Sequence, residues 1–216
     1  MKTLVITFAI FMINLAGFSQ KDQYTAIMKT NIEKMYTSQT VDEYQSSANT
    51  FERIALTEKK EWLPSYYASY CYIMMAFMAQ KPDQIDPYLD LAQKHLDHAM
   101  AIDGKETELF VLQGMLHQAR ISVDFMGRGI AYSQMAQGEL EKAAAIDPKN
   151  PRAFYLMGMN VYSTPPMYGG GPEVALPLFK RAQENFELRE AVNNDLMPTW
   201  GEEHNSQMIT ECERKN

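Results

Sequence analysis

The sequence predicts an all-α protein in which about four antiparallel helical hairpins stack into a solenoid and a C-terminal helix caps the last hairpin. Two observations predict this fold. A triplet with offsets of four and three residues recurs four times, and such offsets place its members on one face of a helix. No stretch bounded by turn residues alternates apolar and polar residues as a half-buried strand does. The triplets are Ser47/Phe51/Ile54, Ala92/Leu96/Ala99, Ala136/Leu140/Ala143 and Ala175/Phe179/Ala182.

Residues 1–19 have the pattern of an export signal. Lys2 supplies a positive start, an almost unbroken apolar run extends from Leu4 to Phe18, and Gly17 and Ser19 are the small residues that a signal peptidase requires. The apolar run is shorter than the roughly 20 residues that a membrane-spanning helix needs. We therefore expect cleavage after Ser19 and a location in the periplasm or outside a Gram-negative cell.

Residues 20–216 are predicted to form one helical repeat domain. Turn-forming residues divide it into units at roughly 21–59, 60–104, 105–150 and 151–190, followed by a cap at 198–214. The formal net charge of −7 and the lack of clustered Lys and Arg argue against nucleic acid as a partner. Breaks between helices are predicted at 37–40, 59–61, 81–87, 103–105, 126–129, 147–151 and 164–172.

A second repeated position supports the triplets. Phe154 precedes Gly158 by four residues in the last unit, and Phe110 precedes Gly114 by the same offset in the third unit. Small residues let two helices approach closely, and the larger member of each triplet fills the space between them. The order of an aromatic residue, a glycine, the triplet and then Asp-Pro resembles the tetratricopeptide repeat (TPR). The resemblance is best from Glu108 to Glu187, notably in "AIDPKNPRAFYLMG" and "ALPLFKRA".

The units are longer than the standard TPR of about 34 residues. The extra residues lie between the two helices of a unit, as in "SVDFMGRG" and "STPPMYGGGP". They are either extra helical turns or loops, and the sequence leaves both open. By its export signal, "EWLPSYYASYCYIMMAF" and "TPPMYGGGP", the chain resembles a divergent exported TPR protein of the Bacteroidetes.

The resemblance implies a right-handed superhelix whose first helices line a concave groove that receives peptides. It therefore implies a non-enzymatic protein- or peptide-binding scaffold in the cell envelope. Trp200 is expected to anchor the C-terminal helix onto the last hairpin as a cap. By the same resemblance, the groove-facing residues are Ser65, Ser69, Tyr72, Val111, Met115, Gln118, Tyr155, Met159 and Tyr162.

The alternative function is a periplasmic carrier of a small ligand or a metal ion. The candidate metal ligands are the sulfur-bearing side chains of one helix and three histidines. The sulfur-bearing side chains are also what a buried core helix would carry, and the histidines are expected at the edge of a packed helix face. We therefore expect no metal and no cofactor. These residues are Cys71, Met74, Met75, Met78, His95, His98 and His117.

The remaining motifs point away from catalysis. Three glycines, 169–171, open a helix, but Pro172 removes a backbone donor and Glu173 repels phosphate, so we expect an inserted turn rather than a nucleotide site. This turn is a candidate for one end of a binding groove. No combination of nucleophile, base and oxyanion site occurs, so we expect no enzymatic activity. Whether Cys71 pairs with Cys212 and whether the protein forms homo-oligomers stay open.

Overall fold

The computed structural model describes residues 20–189 and 196–215. Nine α-helices and no strand occur in these two ranges, so the all-α prediction is confirmed. The predicted signal peptide lies outside the described residues. The helices are α1 (Gln20–Tyr36), α2 (Val41–Thr57), α3 (Leu63–Met78), α4 (Pro82–Ile102), α5 (Thr107–Ile121), α6 (Phe125–Ile146), α7 (Pro151–Ser163), α8 (Pro172–Arg189) and α9 (Glu202–Lys215).

Consecutive helices pair as α1/α2, α3/α4, α5/α6 and α7/α8, and the first helices α3, α5 and α7 also contact one another in sequence. The repeated triplets form the interior of these hairpins. All members of the last three triplets are fully buried, whereas Ile54 of the first is half-buried. A Cβ atom on Gly114 would come within 2.8 Å of Leu140, and one on Gly158 within 2.6 Å of Phe179. The glycines thus let a large residue of the second helix press directly against the first.

Local signals define where several helices begin. Thr40 and Glu43 form a reciprocal capping box at the start of α2. The side chain of Asn150 accepts hydrogen bonds from the backbone N–H groups of Arg152 and Ala153 at the start of α7. Each cap satisfies amide groups that have no partner inside the helix.

The extra length of the repeats has two origins. In the second and third units it is helical, because α4 has 21 residues and α6 has 22. The predicted break at 126–129 is therefore wrong, and the predicted break at 81–87 is wrong except at Lys81. Pro82 is tolerated at the first helical position, where its missing N–H would have no partner. The side chain of Asp124 accepts from the N–H of Gly127 and so begins α6 just before the glycines. In the fourth unit the extra residues form a loop between α7 and α8.

The last helix packs against α8, as a cap should. Asn205 of α9 is fully buried and donates to the backbone carbonyl of Phe179 at 3.0 Å. A buried charge cluster joins the third and fourth hairpins. Glu108 of α5, which is fully buried, receives hydrogen bonds from Arg152 at 2.8 Å and from Arg189 at 3.0 Å. Burial alone would raise the pKa of Glu108, but the two arginines outweigh it and hold this pKa below its usual value.

Candidate functional site

The predicted concave groove is not an open surface in this structure. Six of its nine residues are buried, and the other three are half-buried. The buried set is Ser65, Ser69, Tyr72, Val111, Met115 and Tyr155, and the half-buried set is Gln118, Met159 and Tyr162.

A segment of the chain itself packs against the first helices of the solenoid and contacts Tyr155 of the predicted groove. We call residues Leu196–Gly201, which connect to the start of α9, the strap. The hydroxyl of Tyr67 donates to the carbonyl of Leu196 at 2.8 Å. The backbone N–H of Thr199 donates to the hydroxyl of Tyr36 at 3.1 Å. The strap therefore reaches from the last hairpin back to α1 and α3.

Other predicted groove residues are engaged by neighbouring helices. The Tyr155 hydroxyl lies 2.8 Å from Nδ1 of His204 in α9, and burial raises the pKa of Tyr155 to about 12, so its hydroxyl stays neutral. Tyr72 donates to Glu52 of α2 at 2.8 Å. Lys215 donates to the Tyr162 hydroxyl at 2.7 Å. Tyr155, Tyr72 and Tyr162 thus take part in three separate contacts within the chain.

A different surface exposes large apolar side chains at the edge of the solenoid where the helices of each hairpin are joined. We call it the apolar rim. Met126 is 90% exposed and Met167 is 81% exposed, values that are unusual for side chains of this size. The rim consists of Phe125, Met126 and Ile130 at the start of α6, and of Met167 and Tyr168 in the α7–α8 loop.

Helix packing places the two halves of the rim at the same end of the third and fourth hairpins. Ser133 donates to the side chain of Asn160 at 2.9 Å, which fixes this face of α6 against α7. Met126 and Ile130 precede Ser133 by seven and three residues, so they continue the same face toward the start of α6. Since α7 ends at Ser163, three residues after Asn160, the start of α6 and the α7–α8 loop lie at the same end of these hairpins.

The α7–α8 loop is tightly built, although it carries exposed apolar residues. A short 3-10 turn spans Pro166–Tyr168, and the N–H of Gly171 donates to the carbonyl of Val161 at 2.9 Å. Gly169 and Gly171 have φ angles of 83° and 110°, which side-chain-bearing residues rarely adopt. A well-bonded loop that holds Met167 and Tyr168 in solvent is typical of a binding surface. This agrees with the inserted turn that the glycine run predicts.

The histidines are engaged by neighbouring side chains. His95 lies 2.9 Å from Glu52 and stacks on Tyr72, and His98 contacts Ser65 at 2.8 Å. Burial lowers the pKa of His95, although Glu52 opposes this shift. Within residues 20–189 and 196–215 no group of three His, Cys, Asp or Glu side chains is arranged to hold a metal ion.

The sulfur-bearing side chains of α3 include core residues. Cys71 and Met75 of α3 are fully buried in the hydrophobic core of the protein, and burial raises the pKa of the Cys71 thiol. Cys71 and Cys212 are both free thiols. Among the described helices, none combines the length and apolar character needed to cross a bilayer.

One broad open concavity of about 660 Å³ lies beside α9. Its lining is polar and includes two carboxylates, so it suits neither an apolar ring nor an anionic group. The lining residues are Thr199, Glu202, Glu203, Ser206, Gln207 and Thr210.

Sequence reasoning missed most of the rim. Met126 lies in a predicted break and Phe125 directly precedes it, and Met167 and Tyr168 lie in the predicted inserted turn. The available signal is that each insert contains a methionine adjacent to an aromatic residue, and that glycine directly follows this pair, in "DFMG" and "PMYG". Two large apolar residues at a turn are a reason to expect exposure.

Comparison with known proteins adds a functional clue. No protein-family model and no curated protein sequence matches this chain. The solved structure of the HusA haemophore from Porphyromonas gingivalis is similar, with a TM-score of 0.82 and 28% sequence identity, over 92% of this chain and 97% of HusA. A thermophilic TPR protein from Thermus thermophilus, TTC0263, has a TM-score of 0.58 and 14% identity over 89% of this chain and 82% of its own.

These comparisons confirm one prediction and correct another. The TPR protein is too distant in sequence to indicate more than the fold, and the fold agrees with the predicted helical solenoid. The prediction of a protein- or peptide-binding scaffold is wrong, because the similar structure that spans nearly both chains is a haemophore, which favours the small-ligand alternative. The chain therefore has a divergent TPR-like fold, similar to that of a haemophore from a Bacteroidetes species.

Proposed function

We propose that this protein is an exported carrier of haem or a closely related porphyrin, that it has no enzymatic activity, and that it holds its ligand against the apolar rim. The observation that carries the proposal is the similarity to the HusA haemophore over nearly the whole of both chains. The export pattern of residues 1–19 supports a role outside the cytoplasm.

The rim has the chemistry that a porphyrin requires. A porphyrin is a flat apolar ring, and burying apolar surface stabilises a complex by about 25 cal/mol per Å². Methionine side chains adapt to such a surface and make favourable contacts with aromatic rings. Tyr168 and Phe125 add flat faces that can stack on the ring. A ligand that covers the rim would remove the largest exposed apolar side chains of this edge from water.

Haem binding to matched variants tests the proposal. Ile130 and Leu56 are both 72% exposed, but only Ile130 belongs to the rim. We expect Ile130→Ser to weaken haem binding about tenfold, because an Ile contact is lost, and Leu56→Ser to leave it unchanged. Absorbance titration with ferric haem measures both affinities, and metal-free protoporphyrin separates recognition of the ring from binding to the iron. Equal affinities of the two variants would place the ligand elsewhere.

A further inference from the structure

Each of the four described hairpins carries a methionine next to an aromatic residue at the end where its two helices are joined. The pair of the first hairpin serves the interior, because Met35 is fully buried and the Tyr36 hydroxyl accepts a hydrogen bond from Thr199. The pairs of the third and fourth hairpins belong to the apolar rim. The pair of the second hairpin lies outside both sets. In chain order the pairs are Met35/Tyr36, Phe77/Met78, Phe125/Met126 and Met167/Tyr168.

The pair of the second hairpin ends a helix that is otherwise mostly core. Phe77 is 48% exposed, whereas Ala76 directly before it and Ile73 one turn earlier are buried. A single exposed ring is ordinary on a protein surface. Here, however, the same two kinds of side chain recur at three consecutive hairpin ends, each time with an exposed member. The recurrence indicates that these three ends present the same chemistry to solvent.

A charge cluster places Phe77 at the same edge of the solenoid as the apolar rim. Asp86, in the second turn of α4, accepts hydrogen bonds from Arg120 near the end of α5 and from Arg128 near the start of α6, both at 2.8 Å. The first helices α3 and α5 also contact each other, and packed helices lie about 8–10 Å apart. Since α4 follows α3 after a short turn, the end of α3 lies beside the turn that carries Phe125.

The two sides of α6 separate the second hairpin from most of the rim. Arg128 and Ile130 are two residues apart, so they lie on different sides of this helix. Ile130 is on the side where Ser133 contacts α7, whereas Arg128 contacts Asp86 of α4. A ligand on Ile130 therefore lies toward the fourth hairpin, and a ligand on Phe77 lies toward the second. The edge offers two separate positions for a flat ring.

We propose that Phe77 and Met78 form a second porphyrin site next to the apolar rim, so that one chain carries two rings. This inference rests on the proposed function and extends it from one site to two. The occupant follows from the chemistry that both positions share. Each offers an aromatic face that can stack on a flat ring and a thioether that adapts to such a surface.

The number of rings that one chain binds tests the inference. We expect the wild type to saturate at two molecules of protoporphyrin per chain, measured by absorbance titration and native mass spectrometry. Phe77→Ser should weaken one site about tenfold, because a stacking face is lost, and Ile130→Ser should weaken the other. Leu91→Ser is the matched control. Leu91 is 40% exposed in the same hairpin but lies in the middle of α4, so this variant should keep both sites.

The possible results separate this inference from the proposed function. Saturation at one ring, weakened by Ile130→Ser and not by Phe77→Ser, would overturn the second site and leave the carrier function standing. Two rings that both bind Phe77→Ser with wild-type affinity would also overturn it. If neither protoporphyrin nor ferric haem binds the wild type, both proposals fail. Should Phe77→Ser not fold, Phe77→Leu keeps an apolar side chain without the stacking face, and an unchanged affinity of both sites in that variant would contradict the inference.

Discussion

The inner face and the apolar rim are both rich in aromatic and apolar side chains, but only the inner face has its partner within the chain. Around Trp200 the tyrosine hydroxyls and rings are matched by the strap at hydrogen-bond or stacking distance. At the rim, Met126 and Met167 lie almost entirely in solvent. Aromatic content alone therefore does not identify a ligand surface. The informative property is which aromatic and apolar groups remain without a partner after folding.

The largest loss of stability at the inner face is expected from removal of the buried cation of Arg152. Arg152→Met leaves Glu108 charged and fully buried with one fewer arginine, and it removes a group that faces the Trp200 ring. We expect a loss of about 3–5 kcal/mol in the free energy of unfolding, measured by urea denaturation. Arg53→Met changes an arginine outside this cluster and should cost less than about 0.5 kcal/mol. Similar losses for the two variants would contradict the importance of the buried pair.

Removing the aromatic rings one at a time compares the two regions directly. Trp200→Ala should reduce the free energy of unfolding by about 3 kcal/mol, because a large buried ring leaves a cavity. Tyr168→Ala at the rim should change it by less than about 0.5 kcal/mol, because the ring is 68% exposed. Thermal unfolding followed by circular dichroism measures both. A large loss for Tyr168→Ala would mean that the rim is part of the core.

The shape of the α7–α8 loop can be tested with a small change. A Cβ on Gly170 would collide with the backbone of Thr164, so Gly170→Ala should displace the loop that carries Met167 and Tyr168. We expect a stability loss of about 1 kcal/mol and a several-fold loss of haem affinity. Gly138→Ala is the matched control, since nothing lies within 4 Å of its Cβ position in α6. This control should be neutral or stabilising by up to about 1 kcal/mol and should bind haem normally.

The smallest expected effect concerns pH. The pKa of Glu108 is lowered in the folded state, so the carboxylate contributes stability above its unfolded pKa. This contribution is lost as the pH falls through the folded pKa. Arg189→Ala removes one of the cations that lower the pKa, so we expect acid unfolding of this variant to begin at a higher pH than in the wild type. Tyr168→Ala should follow the wild-type acid profile, and an unchanged profile for Arg189→Ala would exclude this role for Arg189.

Much of the fold is predictable from local patterns. The triplets, the glycines 114 and 158 and the turn residues predict the hairpins because packing at regular helical offsets leaves a periodic record in the sequence. The lengths of α4 and α6 are less predictable. Pro82 lies at a helix start, and Gly127 follows the Asp124 cap, so both are compatible with a helix. In the sequence alone, however, proline and glycine at these positions resemble a break between helices.

The candidate site is harder to predict because burial there depends on contacts between distant parts of the chain. Tyr155 and Tyr72 have the offsets of groove residues, but no local signal indicates that His204, Glu52 or the strap covers them. The exposure of Met126 and Ile130 depends on where α7 ends relative to α6, which periodicity does not specify. Only the inserts themselves point to this edge.

The path of the strap also bears on how the protein unfolds. In a simple repeat array each unit contacts only its neighbours, so the ends can unfold before the middle. Here Tyr67 contacts Leu196 across 129 residues, and Tyr36 contacts Thr199 across 163 residues. These contacts tie the first two hairpins to the C-terminal end and make loss of either end costly for the other. The expected result is a single cooperative transition, with folding slowed by the need to close so long a loop.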